Sequence, residues 1–259
     1  SGCDAGDGIK LNNPDSWRDK IAFMEPDDDI HYSLIGLKVL EEFGAGFEWF
    51  DVANTWNNSL PYGSICTAET QAILNYNIAT PRSAVWGDRS KMPIKDAGFT
   101  ARNNNPYREW IGAQIRADGW AFCAAGNPHK AAEFAWKDAH WTHTANGIYG
   151  EMFCAAMISA AFTTRDPLEI IRIGLSEIPQ KSRLAEGVEW ALSRFPQCKD
   201  FESFMAEMEE RYKGMNTVHT INNAMIVLMS IYYGKMDPER SVCLSVMGGM
   251  DTDCNGATV

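Results

Sequence analysis

Apolar residues recur three and four apart along most of the chain, strict alternation is scarce, and Gly, Pro and Asn punctuate the intervals. That pattern predicts helices. In EPDDDIHYSLIGLKVLEEFG, Ile30, Leu34, Leu37 and Leu40 share a face, Ile35 and Val39 widen it, and Gly44 offers a stop, so a helix buried on most sides is expected behind three acids. HKAAEFAWKDAHW leads into GIYGEMFCAAMISAAF, whose Gly147, Gly150, Ala155, Ala156 and Ala160 admit close neighbours and mark a central helix. PLEIIRIGLSEI starts on a proline that suits a first turn. DFESFMAEMEERYK is amphipathic, with Phe201, Phe204, Met205 and Met208 on one side. TVHTINNAMIVLMSIYYG is apolar nearly all round and reads as a core helix ending at Gly234; DPERSVCLSVMGG adds one that stops at paired glycines. Residues 51–106, rich in Asn, Gly, Pro and Trp, read as a long irregular part. With no repeat or linker, one all-α domain over residues 1–259 is expected.

Composition narrows the partners more than the fold. The net charge of −11 sets the chain against the phosphate backbone of nucleic acid, which is bound by clustered Lys and Arg. No apolar run approaches the roughly 20 residues that a membrane span needs, so no membrane partner is expected. Seven scattered cysteines without a C-x-x-C pair read as reduced thiols of a cytoplasmic protein.

Candidate chemistry lies in two acidic groups. Asp27, Asp28 and Asp29 open the first helix, and Asp251 and Asp253 sit in GGMDTDCNGATV. Each group alone reads as a helix cap. Together they read differently, because carboxylates gathered within about 5 Å repel by roughly 3 kcal/mol per pair at an effective dielectric near 20. A hard divalent cation with oxygen ligands would reconcile them. The segment D-x-D-x-N-G also matches the start of an EF-hand loop, but the acid required at its twelfth position is absent.

The early Asp-Asp pair and the late G-x-D-T-D turn resemble the ADP-ribosylglycohydrolase family, which carries T-D-D-T early and G-G-D-T-D-T late. The resemblance extends to IGAQIRADG, similar to the family's N-G-A-A-M-R loop, and to WTHTANGIYG, similar to its T-H segment; NPYREWIGAQIRADGW is similar to a bacterial branch. It implies an orthogonal helical bundle in which Asp27, Asp28, Asp29, Asp251 and Asp253 hold two Mg²⁺ (or Mn²⁺) ions, with Asp28 and Asp29 catalytic. Gly112, Gln114, Arg116 and His143 would lie at substrate. The implied activity is hydrolysis of an N- or O-glycosidic ADP-ribosyl bond in a protein or small molecule. A non-catalytic ADP-ribose-binding relative and a ribosyl hydrolase of small metabolites stay open.

Departures from the family pattern are specific. Asp27 and Ile30 stand where it has threonines, Met250 replaces a glycine, and Cys254 replaces a hydroxyl, although a thiol is a poor partner for Mg²⁺. WRDKIAF resembles the family's first helix, but a glycine-rich loop expected near residues 23–25 and further C-terminal helices have no counterpart. Glu25 stands near where relatives carry an assisting acid. From the residues alone, His143 also reads as a helix-end histidine, Arg116 as a partner of Asp118 or Glu109, and His219 and Asn222 as core polar groups.

Overall fold

A computed structural model of the chain describes residue 22, residues 27–80 and residues 96–259. The described residues form thirteen α-helices and no strand, with one isolated antiparallel bridge between Trp110 and His219. Helix α1 is Asp28–Phe43; Asp27 caps it by accepting the Ile30 amide at 3.4 Å, and Gly44 ends it at φ 63°.

Three helices occupy the stretch expected to be irregular: α2 Trp49–Ser59, α3 Thr67–Ala79 and α4 Ala97–Arg102. Polar residues inside their buried faces hid them. Helix α2 buries Asp51 and Thr55 beside Val52 and Trp56, and α3 buries Glu69 and Asn75 beside Ile73 and Tyr76, so the apolar period is broken where the helical one is not. Each such polar group needs a partner. Asn75 finds its own in α4, donating to the Thr100 and Asn103 carbonyls at 2.8 and 2.7 Å.

The remaining helices are α5 Ala117–Cys123, α6 Pro128–Ala139, α7 Asn146–Ala161, α8 Pro167–Ser176, α9 Arg183–Arg194, α10 Phe201–Arg211, α11 Thr220–Gly234, α12 Pro238–Met247 and α13 Thr252–Thr258. Pro128, Pro167 and Pro238 each stand at a helix start behind an Asn or Asp cap. Helix α7 is central, packing on α5, α6, α8, α9 and α11 and on a 3-10 turn, Ile111–Arg116. Its small residues are needed there. A Cβ on Gly150 would stand 2.3 Å from Thr220 Cγ2, and one on Gly147 would stand 2.6 Å from the Arg108 carbonyl. Helix α11 is buried along nearly its whole length and packs on α9, α10, α12 and α13.

Two expectations change. Helix α1 meets the core through Tyr32, Ile35, Gly36 and Val39, with Gly36 against the Trp120 ring, which leaves Ile30, Leu34 and Leu37 on the opposite side at 42%, 56% and 44% exposure. The helix is therefore buried on one face among the described residues, not on most sides. The cysteines are not all reduced: Cys66, Cys123, Cys154, Cys198 and Cys254 are free, whereas Cys243 on α12 is disulfide-bonded. No helix among the described residues is long and apolar enough to cross a membrane.

Candidate active site

Folding brings the two acidic groups to one place. Asp28 and Asp29 form the first turn of α1, while Asp251 precedes α13 and Asp253 lies in its first turn. Ligand-capable atoms of Asp29, Asp253 and Cys254 lie within 4.8 Å of one another, and so do those of Asp27, Asp28 and Asp29. Asp29 thus belongs to both groups. Asp251 belongs to neither, and is joined to them by its neighbour Asp253 and by the charge of Asp28.

The electrostatic cost of this convergence is visible in the carboxyls. Burial, followed by the charges of Asp28, Asp253 and Asp27, pushes Asp29 up to about 7. Burial and the proximity of Asp253 push Asp251 up to about 6. Capping explains Asp27, but Asp251 makes no side-chain capping bond, and Asp29 Oδ1 is buried without a hydrogen-bond partner among the described residues. An orphaned carboxylate oxygen among other carboxylates has the donor chemistry of a hard-cation ligand.

Cys254 takes a different part. Burial, then Asp29 and Asp251, drive its thiol far above the ordinary range, so it stays protonated and donates from Sγ to Asp29 Oδ2 at 3.6 Å. The thiol orients a carboxylate as a hydroxyl could. Helical backbone from Thr252 to Thr258 also removes the EF-hand reading, because Asp253 and Asn255 stand on a helix rather than in a loop.

Asparagines of α11 hold the late acids in place. Asn223 Oδ1 accepts from the Asp251 amide at 3.2 Å and from Asn255 Nδ2 at 2.7 Å, while its Nδ2 donates to the Thr217 and His219 carbonyls at 2.7 and 2.9 Å. Asn222 steadies the same turn by donating to the Asn216 carbonyl at 2.9 Å. His219 caps α11, its Nδ1 accepting from the Ile221 amide at 3.2 Å. The Asn223 role was missed from sequence, yet two adjacent amides inside an apolar helix are a signal, since buried amides are costly unless used.

The Ile111–Arg116 turn packs against α1, α7, α11 and α13, between the acids and the core. Gly112 makes room for Glu69: a Cβ there would stand 2.6 Å from Glu69 Oε1. Arg116 is 1% exposed and pairs with neither Asp118 nor Glu109. Its fork faces inward, with Nη1 3.1 Å from Glu69 Oε1, Nε 2.8 Å from Asp138 Oδ2 and Nη2 3.4 Å from Glu151 Oε2. Thr142 Oγ1 accepts from Nη2 at 3.0 Å, and the guanidinium lies 5.2 Å from the Trp56 ring centre. All three guanidinium nitrogens of Arg116 thus lie against carboxylates inside the protein.

Three carboxylates around one guanidinium cannot all be charged cheaply in a buried space. Burial raises Glu69 to about 7 against the pull of Arg116, and burial with Asp138 holds Glu151 well above its ordinary value. His143 is fully buried with Nδ1 2.8 Å from Thr142 Oγ1; burial, then Arg116, holds it well below its ordinary value and therefore neutral. Gln114 is equally enclosed, and neither end of its amide has a hydrogen-bond partner among the described residues. Glu25 and, Ala22 apart, the WRDKIAF segment lie outside the described residues.

An all-helical fold with aspartates from distant parts of the chain gathered over the N-terminus of α1 agrees with the resemblance in the sequence. The ADP-ribosylglycohydrolase family profile matches residues 7–259, nearly the whole chain, and the chain belongs to that family. It is a glycohydrolase of the ADP-ribosylglycohydrolase type. No curated protein and no solved structure matches it.

Proposed function

We propose that the protein hydrolyses the N- or O-glycosidic bond between ADP-ribose and a protein or small-molecule acceptor, with two Mg²⁺ ions (Mn²⁺ as substitutes) held by the aspartates. The observation that carries this reading is the convergence of Asp29 and Asp253, with the unpartnered Asp29 Oδ1 buried between acids. Asp27, Asp28, Asp29, Asp251 and Asp253 would hold the ions. When bound, such ions supply the Lewis acidity and positive charge that orient ribose hydroxyls and a water.

The chain's own residues divide the remaining work. Asp28, half-buried on the first turn of α1, would accept a proton from the attacking water at a carboxylate oxygen. Cys254 keeps Asp29 oriented through its thiol proton, and Asn223 keeps Asp251 at the mouth of α13. Gly112 and Arg116 support the turn from within. In that turn Gln114 keeps unused hydrogen-bonding capacity, and with the neutral His143 of the T-H segment it would meet a substrate hydroxyl only if the turn opens, since both are enclosed.

Incubating the purified protein and Mg²⁺ with an ADP-ribosylated protein is expected to release free ADP-ribose, and a chelator is expected to stop it. Release that persists in excess chelator defeats the metal assignment, and binding without release favours the non-catalytic alternative. Asn223→Ala should lower Mg²⁺ affinity by about 10- to 100-fold, as lost outer-sphere partners do. It should also cost about 1–3 kcal/mol of stability, because two donors lose their acceptor. Titration calorimetry beside thermal melting separates the two effects; unchanged affinity would show that Asn223 does not position the acids.

A further inference from the structure

A second concavity lies between α9, the C-terminal end of α10 and the first turn of α11. Arg183, Glu186, Arg211, Tyr212, Met215 and Ile221 line a space of about 280 Å³. We propose that this is a binding site for a phosphoryl group, of a phosphate ester or a diphosphate, gripped by the forks of Arg183 and Arg211. It shares no residue with the aspartate cluster and does not depend on the glycohydrolase reading.

Charge is the first argument. In a chain of net charge −11, two guanidiniums face one small cavity. Arg211 Nη2 pairs with Glu186 Oε1 at 2.9 Å, but the Glu186 side chain is 71% exposed, so that pair is weak and easily shared. Arg183 has no carboxylate partner among the described residues, and its charge is felt by both Tyr212 and His219. The cavity therefore keeps about one uncompensated positive charge, which suits a phosphoryl oxygen pair bound in fork geometry.

Preorganisation is the second. The Arg211 guanidinium lies 5.0 Å from the Trp190 ring centre and 5.6 Å from that of Tyr212, so its plane is fixed before a ligand arrives. Arg183 is the first residue of α9, whose start is tied down twice: Ser182 Oγ accepts from the Ala185 amide at 3.1 Å and Asn146 Oδ1 from the Leu184 amide at 2.9 Å. The positive end of that helix adds to the same field.

The cavity floor supplies a donor and sets the size. Tyr212 Oη is buried without a hydrogen-bond partner that satisfies it among the described residues, beside the Arg211 guanidinium, and a Cβ on Gly187 would stand 2.8 Å from it, so α9 carries glycine where the hydroxyl enters. Ile221 and Met215 give an apolar surface for the carbon side of an ester. Sites for whole cofactors occupy roughly 300–1,000 Å³. This one is sized for the phosphoryl end of a ligand.

Calorimetric titration of the whole chain with pyrophosphate, free of divalent ions and at constant ionic strength, is expected to show one saturable site. Arg183→Gln should weaken it by about tenfold or more, and Arg183→Lys, which keeps the charge but loses the fork, by less. Because Arg183 is exposed, neither variant should change the melting temperature. Asp253→Asn should bind pyrophosphate as the parent does, whatever happens to ADP-ribose release. The proposal is overturned by the absence of saturable binding, by equal affinity in Arg183→Gln, or by sulfate binding as tightly as pyrophosphate.

Discussion

Asp29→Asn is expected to abolish divalent-ion binding and to cut ADP-ribose release by about a thousandfold, roughly 4 kcal/mol of transition-state stabilisation. Asp29 is the right residue because it alone belongs to both acid groups and accepts the Cys254 thiol. An amide keeps the shape and loses the charge. In chelator at neutral pH the variant should melt above the parent, since it removes the buried charge and the repulsion that together raise Asp29 to about 7; in saturating Mg²⁺ the order should reverse. Calorimetric titration and melting curves with and without Mg²⁺ check both halves. A variant that melts below the parent in chelator would mean that the aspartate supports the fold directly and not as an ion ligand.

Arg116→Met should damage folding more than any surface change. Breaking one buried pair costs about 3–5 kcal/mol, and this substitution strands Glu69, Asp138 and Glu151 together. A drop in melting temperature of roughly 6–20 °C follows at about 2–4 °C per kcal/mol. The pH dependence has a definite sign. Glu69 is raised from 4.5 to about 7 and Glu151 well above 4.5, so what they contribute is present below 4.5 and lost as pH rises through about 7. Removing Arg116 takes away the attraction that lowers both, moving that loss further. The deficit should therefore be larger at pH 8 than at pH 5, and Arg116→Lys should fall between. Equal melting of parent and Arg116→Met at pH 8 would show that the carboxylates find other partners.

Residue types told more about the acids than about what surrounds them. Helices such as α7 and α11 were legible because small or apolar residues repeat through them, and Asp29 and Asp253 stood out because both occur at helix starts beside other acids. Helices α2 and α3 were not legible, because Thr55, Glu69 and Asn75 interrupt their buried faces, and the partners of Glu69 and Asn75 lie far away in sequence. The same long-range partnering misdirected Arg116. Its near neighbours Asp118 and Glu109 were plausible partners by spacing, while the carboxylates it meets come from α3, α6 and α7. Family resemblance pointed to Gly112 and Arg116 as residues at substrate; the packing of Glu69 against Gly112 gives them an interior task. The exposed stripe on α1 has a related origin, since apolar spacing marks a face without saying which neighbour covers it.

The tie between Asp29 and Asp253 also has a consequence in time. The N-terminal acids leave the ribosome well before the turn that completes their site, separated from it by about 220 residues, or roughly 10–45 s of synthesis at 5–20 residues per second. During that interval Asp27, Asp28 and Asp29 stand without Asp253, and for most of it also without Asn223, which fixes the late turn. Competence at this site is therefore acquired only once α13 has emerged, and a polypeptide stalled anywhere before α13 carries only half of it.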